Sequence, residues 1–442
     1  MLILIAATFV NAFGNGAYLT TGVLFLTRVA GLSPAAMSAG LSIGAAAGMV
    51  SMTPLGYVAD RYGPKRLLIG AMLVLAVAYT TLLTVHSSAA FAVLSCVIAV
   101  AMALTKGANG ALIAGSVPVD QRLRSRAVLR STTNAGIGVG TLVGSVPLLL
   151  HGHQAYAGVL LANAASFLIA AAILTRARPV PPQERPAEGP RLIALRDRPF
   201  LSFAALDGVL TSTFNELIAI GLPLWLAART HAPLWLISVA LIINTAGCVL
   251  LQVRATRGID GAAAGAVASR QGAAIIALAC AVFGLTAGLP SLAVGLLVVA
   301  AAVIHVLGEL RMSTGSWAIL FGLAPETAQG QYQGTYFAGR QIGDTVAPPL
   351  ITACVLGLHT AGWFLLGALF LVGGLLYRPL IGRARGPVGA ACGPTPARAA
   401  PPHPHQTRRP PPRPAPGGGV GGGARAGGRQ PPPPRPPGMS DD

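Results

Sequence analysis

The stretch GYVADRYGPKR, residues 56–66, is the densest patch of charge in the first hundred residues. Before it runs TTGVLFLTRVAGLSPAAMSAGLSIGAAAGMVSMTPL, and after it LLIGAMLVLAVAYTTLLTV. Asp60, Arg61, Lys65 and Arg66 therefore crowd into one tight turn between two apolar segments. Each residue type suits such a turn. Gly56 lets a neighbouring helix approach closely. Gly63 permits a backbone that a Cβ would strain. Pro64 fits the first position of a helix, where no backbone donor is needed. Asp60 is the odd member, an acid in a basic loop. A carboxylate there can accept from arginines or from the free N–H groups of a helix start.

The surrounding composition says what kind of turn this is. The chain has 442 residues, 53% hydrophobic and 10% charged, whereas a soluble domain carries roughly 25% charged residues. A helix needs about 20 apolar residues to cross the hydrocarbon core. Twelve such runs are predicted, at 2–27, 35–58, 67–85, 89–115, 132–150, 155–175, 200–226, 233–253, 271–289, 294–321, 333–357 and 360–380. GLPSL at 288–292 separates the ninth from the tenth. The opening MLILIAATFVNAFG has no basic leader or cleavage site and reads as the first span.

Charge orients the spans. With the N-terminus in the cytoplasm, the inward connections hold Arg61, Lys65 and Arg66; Arg122, Arg124, Arg126 and Arg130; Arg176, Arg178, Arg185, Arg191, Arg196 and Arg198; and Arg254, Arg257 and Arg270. The outward connections hold Arg28 and Arg229. The positive-inside rule then places both termini in the cytoplasm. The net charge of +18 is thus mostly topology, with +7 of it in residues 383–442, and nucleic acid is not an expected partner.

The chain divides into a six-span half at 1–175, a cytoplasmic linker at 176–199, a second half at 200–382, and a Pro/Gly/Arg-rich tail at 383–442 that cannot bury a core and is expected to be disordered. RLIALRDR in the linker reads as a short surface helix or a solvated strap. The halves echo each other. Aligning Pro118 with Pro325 sets Arg122, Arg124 and Arg126 opposite Gln329, Gln331 and Gln333, and repeated halves mark secondary transporters. The expected fold is all-α and integral to the membrane, with twelve helices in two pseudo-symmetric halves.

At this point residues 56–66 resemble the loop 2–3 signature of the major facilitator superfamily, G-x-L-A-D-R-x-G-R-[RK]. The match is at Gly56, Ala59, Asp60, Arg61, Gly63 and Lys65, with Val58 and Pro64 as departures. The resemblance covers about residues 2–380. It implies that Gly56, Asp60, Arg61, Gly63, Lys65 and Arg66 form a conformational latch between halves, with Asp60 near the start of span eleven. KGANG in span four is similar to the R-x-x-Q-G of proton-coupled members, which makes Lys106 and Asn109 candidates for coupling or substrate binding. NAGIGVGTLVGSVP only partly follows the span-five pattern of drug antiporters, and QVRATRGIDG is an eroded second copy of the loop signature.

Four acids fall inside spans: Asp207 and Glu216 in span seven, Glu309 in span ten and Asp344 in span eleven. Burial disfavours a charged carboxylate, the property that a proton carrier uses. Glu216 and Glu309 lead the candidates. Arg340 with Asp344, and Arg311 with a neighbouring acid, are expected local pairs; Asn15 adds a polar group in span one. Trp225, Trp235, Trp317 and Trp363 read as interface anchors. Cys96, Cys248, Cys280, Cys354 and Cys392 show no metal spacing. No nucleotide-binding loop and no nucleophile with its base are found, so no enzyme and no cofactor is expected beyond a proton gradient as energy source. The expectation is proton-coupled efflux of a small amphipathic molecule, drug or metabolite, by a monomer in a bacterial inner membrane. Proton-linked import, or a non-transporting scaffold, are the alternatives.

Overall fold

The computed structural model describes residues 1–146, 153–183 and 191–384. The expected end of span five, the middle of the linker with Arg185, and the tail from 385 onward lie outside the described residues. Twelve helical rods occur among the described residues: α1 (Leu2–Val29), α2 (Pro34–Tyr62), α3 (Pro64–Thr81), α4 (Ser88–Ser116), α5 (Val119–Gly144), α6 (His153–Thr175), α7 (Arg198–Arg229), α8 (Trp235–Leu251), α9 (Gly261–Gly284), α10 (Ser291–Leu323), α11 (Gln329–Thr352) and α12 (His359–Ala384). Nine are long and apolar enough to cross a membrane. The exceptions are α8, which is shorter, and α5 and α11, which carry more polar residues.

Local chemistry sets the rod ends. Ser33 and Ser87 cap α2 and α4 by accepting from Ala36 N and Ala90 N, each at 3.2 Å. Asp197 caps α7 through Phe200 N at 3.1 Å. Gly63, at φ +94°, turns the chain between α2 and α3. The break between α9 and α10 holds Gly288 at φ +70° and Pro290 before the first turn of α10. Glu216 sits just before a one-turn π segment, Leu217–Gly221, inside α7, a feature frequent at functional sites.

Two helix starts differ from the sequence expectation. α5 begins at Val119 rather than 132, and α9 at Gly261 rather than 271. The basic run RLRSRAVLR is therefore helix, not loop. It can be helical because Arg122, Arg126 and Arg130 recur every four residues and share one face, which meets the other half instead of lipid. RLIALRDR forms only a 3-10 turn at Ile193–Leu195, tucked in with Ala194 buried.

Each half buries its own apolar cluster, one running from Leu4 to Val180 and one from Ala194 to Ile381. The second is richer in aromatics, including Phe200, Phe214, Phe283, Phe370 and Tyr377. Trp225 and Trp363 are buried there edge to face, 6.0 Å apart, and Trp225 donates to Thr286 Oγ1 at 2.7 Å. They are core residues and not interface anchors: their rings pack on each other, and the Thr286 hydroxyl satisfies the Trp225 N–H. Leu19, Val77, Leu292, Leu296 and Val372 are exposed, as lipid-facing positions are. The halves meet through α2, α4 and α5 on one side and α8, α10 and α11 on the other.

Lys65 works within its own half. Its Nζ donates to Thr175 O and Ala177 O, both at 2.6 Å, where α6 ends. These carbonyls lack helical donors, and a cation there also complements the helix dipole. Lys65→Met is expected to lower stability by about 1 kcal/mol, read as a drop in the thermal unfolding midpoint in detergent. Arg66→Met, at an exposed site, should leave the midpoint unchanged; equal midpoints for both variants would contradict the assignment.

Candidate functional site

Polar contacts between the halves fall in two layers. The first closes the face that carries the 2–3, 4–5 and 10–11 turns. α11 starts at Gln329 with no side-chain cap of its own, so its first N–H groups need acceptors. Asp60 supplies them from the other half. Oδ1 accepts from Gly330 N at 2.8 Å and Oδ2 from Gln331 N at 2.9 Å. The approach needs a missing side chain: a Cβ on Gly56 would run into the Gly330 carbonyl. One turn deeper, the hydroxyls of Thr53 and Thr335 meet at 3.0 Å. Asp60 also holds the linker, since its carbonyl accepts from Gln183 N at 2.9 Å. Gln331 grips the linker further on, accepting from Ala194 N and donating to Arg191 O, each at 2.9 Å.

Arg122 adds a second tie. It donates to both carboxylate oxygens of Glu326, at 2.6 and 2.8 Å, and to Ala114 O at 2.6 Å. The Glu326 side chain is 64% exposed, so solvent limits this pair to about 0–1 kcal/mol. Hydrogen bonds to a buried charge are worth about 1.5–3 kcal/mol, and Asp60 is 7% exposed. Asp60 therefore dominates the layer. Arg61 and Arg66 form no ion pair among the described residues. The eroded second copy is not equivalent: Asp260 caps nothing with its side chain.

The second layer lies deeper. Arg130 of α5 donates to Glu309 of α10 at 2.5 Å. Glu309 also accepts from Asn244 Nδ2 at 2.6 Å and lies against Cys248 Sγ at 3.5 Å. His305, one turn away, sits 4.0 Å from Glu309 and contacts Phe214 O at 2.9 Å. Glu309 is thus a buried carboxylate tied across the interface.

Asp207 has a different setting. It is fully buried and accepts from the hydroxyls of Ser316 (2.5 Å), Tyr377 (2.6 Å), Tyr336 (2.8 Å) and Thr211 (3.3 Å). Asp344 accepts from Ser212 Oγ at 2.5 Å, and not from Arg340 as expected; the hydroxyl on α7 faces it across the helix contact. Arg311 binds Gln271 Oε1 at 2.9 and 3.1 Å rather than an acid. Glu216 is half-buried and within the field of Asp344. Lys106 Nζ lies 5.4 Å from the Phe337 ring centroid, with Asn109 half-buried three residues on. Asn15 bonds Asn11 along α1 at 3.1 Å and reaches neither layer.

By sequence, Arg126 and Arg130 fall in an inward connection between spans, where cations set topology. Both lie inside α5, where Arg130 holds Glu309 and Arg126 Cζ stacks 3.8 Å over Trp317. Trp317 is accordingly a site residue and not an anchor. The i, i+4, i+8 arginine stripe was the available signal. Gln331, Asn244, Glu326, Tyr336 and Tyr377 gave none, because each matters only through a neighbour far along the chain.

No curated protein gives a significant sequence match. Solved structures do match the fold. The human organic anion transporter MFSD10 aligns at 17% identity and TM-score 0.57, over 85% of this chain and 98% of that one. The proton:xylose symporter XylE aligns at 14% and 0.59, over 86% and 94%. A bacterial homologue of the iron transporter ferroportin, in an outward-facing state, aligns at 14% and 0.64, over 87% and 98%. A profile of the Major Facilitator Superfamily matches residues 4–348. With this match, the twelve rods in two halves and the capped start of α11, the chain belongs to the Major Facilitator Superfamily and is a multi-pass membrane transporter.

Proposed function

We propose that this chain exports a small amphipathic molecule in exchange for protons, rocking its two halves about the site between them. The observation that carries the reading is the Asp60 carboxylate on the α11 start. It is a short-range contact between halves, strong enough to hold one face closed and confined enough to break. A two-state device needs its states within a few kcal/mol of each other, which is the scale of this contact. The basic face is taken as cytoplasmic on the positive-inside rule, with both termini on that side of a bacterial inner membrane.

Glu309 is the proposed proton site. A proton on its carboxylate removes the charge that holds Arg130, so proton binding and the contact between halves become one equilibrium. Asp207 and Asp344 accept hydrogen bonds only within their own half, and Glu216 forms no ion pair among the described residues, so none of them ties the halves by direct contact as Glu309 does. The loop 2–3 latch and the Glu309 tie then act in series, one at the closed face and one at the interface core.

Two outcomes are expected. In a background lacking other cysteines, Thr335→Cys is buried against α2, and a thiol reagent should label it slowly. Asp60→Asn should speed labelling roughly 10- to 100-fold, the factor corresponding to one charged hydrogen bond of about 1.5–3 kcal/mol; an unchanged rate would remove the latch. Glu309→Gln should lose substrate-dependent collapse of the pH gradient in energised inside-out vesicles by at least about tenfold, while substrate exchange without a gradient persists. Retained proton flux in Glu309→Gln, with folded protein, would move the proton site elsewhere. Alkalinisation of the medium by added substrate would reverse the direction to import.

A further inference from the structure

Three cations stand in the space between the halves without an acid in contact. Lys106 on α4, Arg126 on α5 and Arg340 on α11 are all half-buried. None forms an ion pair among the described residues, where the pairs are Arg122–Glu326, Arg130–Glu309 and His305–Glu309. The three belong to one cluster. The fields of Arg340 and Asp344 both reach Lys106, and Tyr336 lies within reach of both Arg126 and Arg340.

The cluster is built on an aromatic floor. Trp317, Tyr336 and Phe337 have ring centroids 5.6 to 6.0 Å apart. Arg126 covers Trp317 and Lys106 approaches Phe337. Trp317 and Phe337 are each only half-buried. A cation–π contact returns only part of what withdrawing an ion from water costs. The floor therefore positions the cations without neutralising them. Among the described residues no acid pairs with them: Asp344 acts on Lys106 only through space, its carboxylate turned to Ser212.

We infer that the transported molecule is an organic anion, whose acidic head enters between Lys106, Arg126 and Arg340 and whose flat apolar body lies on Trp317 and Phe337. Arg126 and Arg340 offer forked donors suited to a carboxylate, sulfonate or phosphate, while Lys106 acts as a point charge. Lys106 and Arg126 belong to one half, and Arg340 with the aromatic floor to the other. An anion between them is therefore held by both halves at once, and its charge offsets repulsion that otherwise opposes their approach. This inference names the substrate class within the transport reading above and rests on it.

The test uses three probes with one ring system and different charge: 1-naphthoate, 1-naphthamide and 1-naphthylmethylammonium. Binding is measured by equilibrium dialysis on the purified full chain in lipid nanodiscs, without transport. Naphthoate should bind at least about tenfold tighter than the amide, and the ammonium weakest, as expected where a charged group meets its counter-ions. Lys106→Gln and Arg126→Gln should each weaken naphthoate at least about tenfold and leave the amide unchanged. Lys106→Arg, which keeps the charge, should restore binding and so separates loss of charge from loss of fold. Arg311→Gln, away from the cluster, should change nothing. Tightest binding of the ammonium, naphthoate binding that survives loss of Lys106 and Arg126 together, or no binding of any probe to folded protein would each overturn the inference. Charge-selective binding by a protein that moves nothing across vesicles would show the anion site yet remove the transport reading, and with it the claim that the anion is the transported molecule.

Discussion

A helix start buried against another domain must find acceptors for its free N–H groups. In this protein the acceptor for α11 is Asp60 from the opposite half. Much of the architecture follows from that contact. α2 must bring Asp60 to the axis of α11, so Gly56 has no side chain to block the Gly330 carbonyl. The turn after Asp60 must leave at once, so Gly63 takes a positive φ and Pro64 starts α3. The linker is drawn in by the same groups, through Gln183 and Gln331. The first N–H groups of α11 thus depend on a carboxylate that belongs to the other half, and separating the halves at this face exposes both partners to water.

Magnitudes rank the remaining contacts. The exposed Arg122–Glu326 pair contributes little, and water can replace it. The Arg130–Glu309 pair is largely shielded, with side-chain exposures of 23% and 5%. Breaking a buried pair by removing one charge is costly, about 3–5 kcal/mol. Glu309 can lose its charge by taking a proton, and no covalent change is needed. The unpaired cluster of Lys106, Arg126 and Arg340 lies between these layers in chemical terms. It is neither paired like Arg130 nor solvated like Arg124, and an anion entering it joins the halves by the same kind of contact that Glu309 makes internally.

Much of this was legible in the sequence. GYVADRYGPKR carried the turn, the glycine approach and the carboxylate with a helix start as its partner. Hydropathy and arginine placement gave twelve rods and two halves. What was not legible depended on which helix faces meet. Arg126 and Arg130 follow Arg122 and Arg124 in a basic run that resembles a loop by composition; the four-residue spacing that puts three of the arginines on one face is the cue to a helix. Arg340 and Asp344 share a face by spacing, yet Ser212 competes for the carboxylate from α7, and spacing along one helix cannot report a rival on another. Trp225 and Trp363 lie near span ends by position but in the core by packing, since each finds the other's ring. Lys65 matched the loop signature but holds the end of α6 within its own half.

The central claim is that the halves move as two bodies and that Asp60 sets which state dominates. Spin labels at Tyr62→Cys and Arg257→Cys, exposed positions at the basic face of opposite halves, report that movement as a distribution of distances by pulsed electron resonance. A short-distance population should dominate in the otherwise native chain. A second, longer population should grow at its expense when Asp60 is replaced by Asn. A single distribution, the same with and without the Asp60 carboxylate, would contradict it.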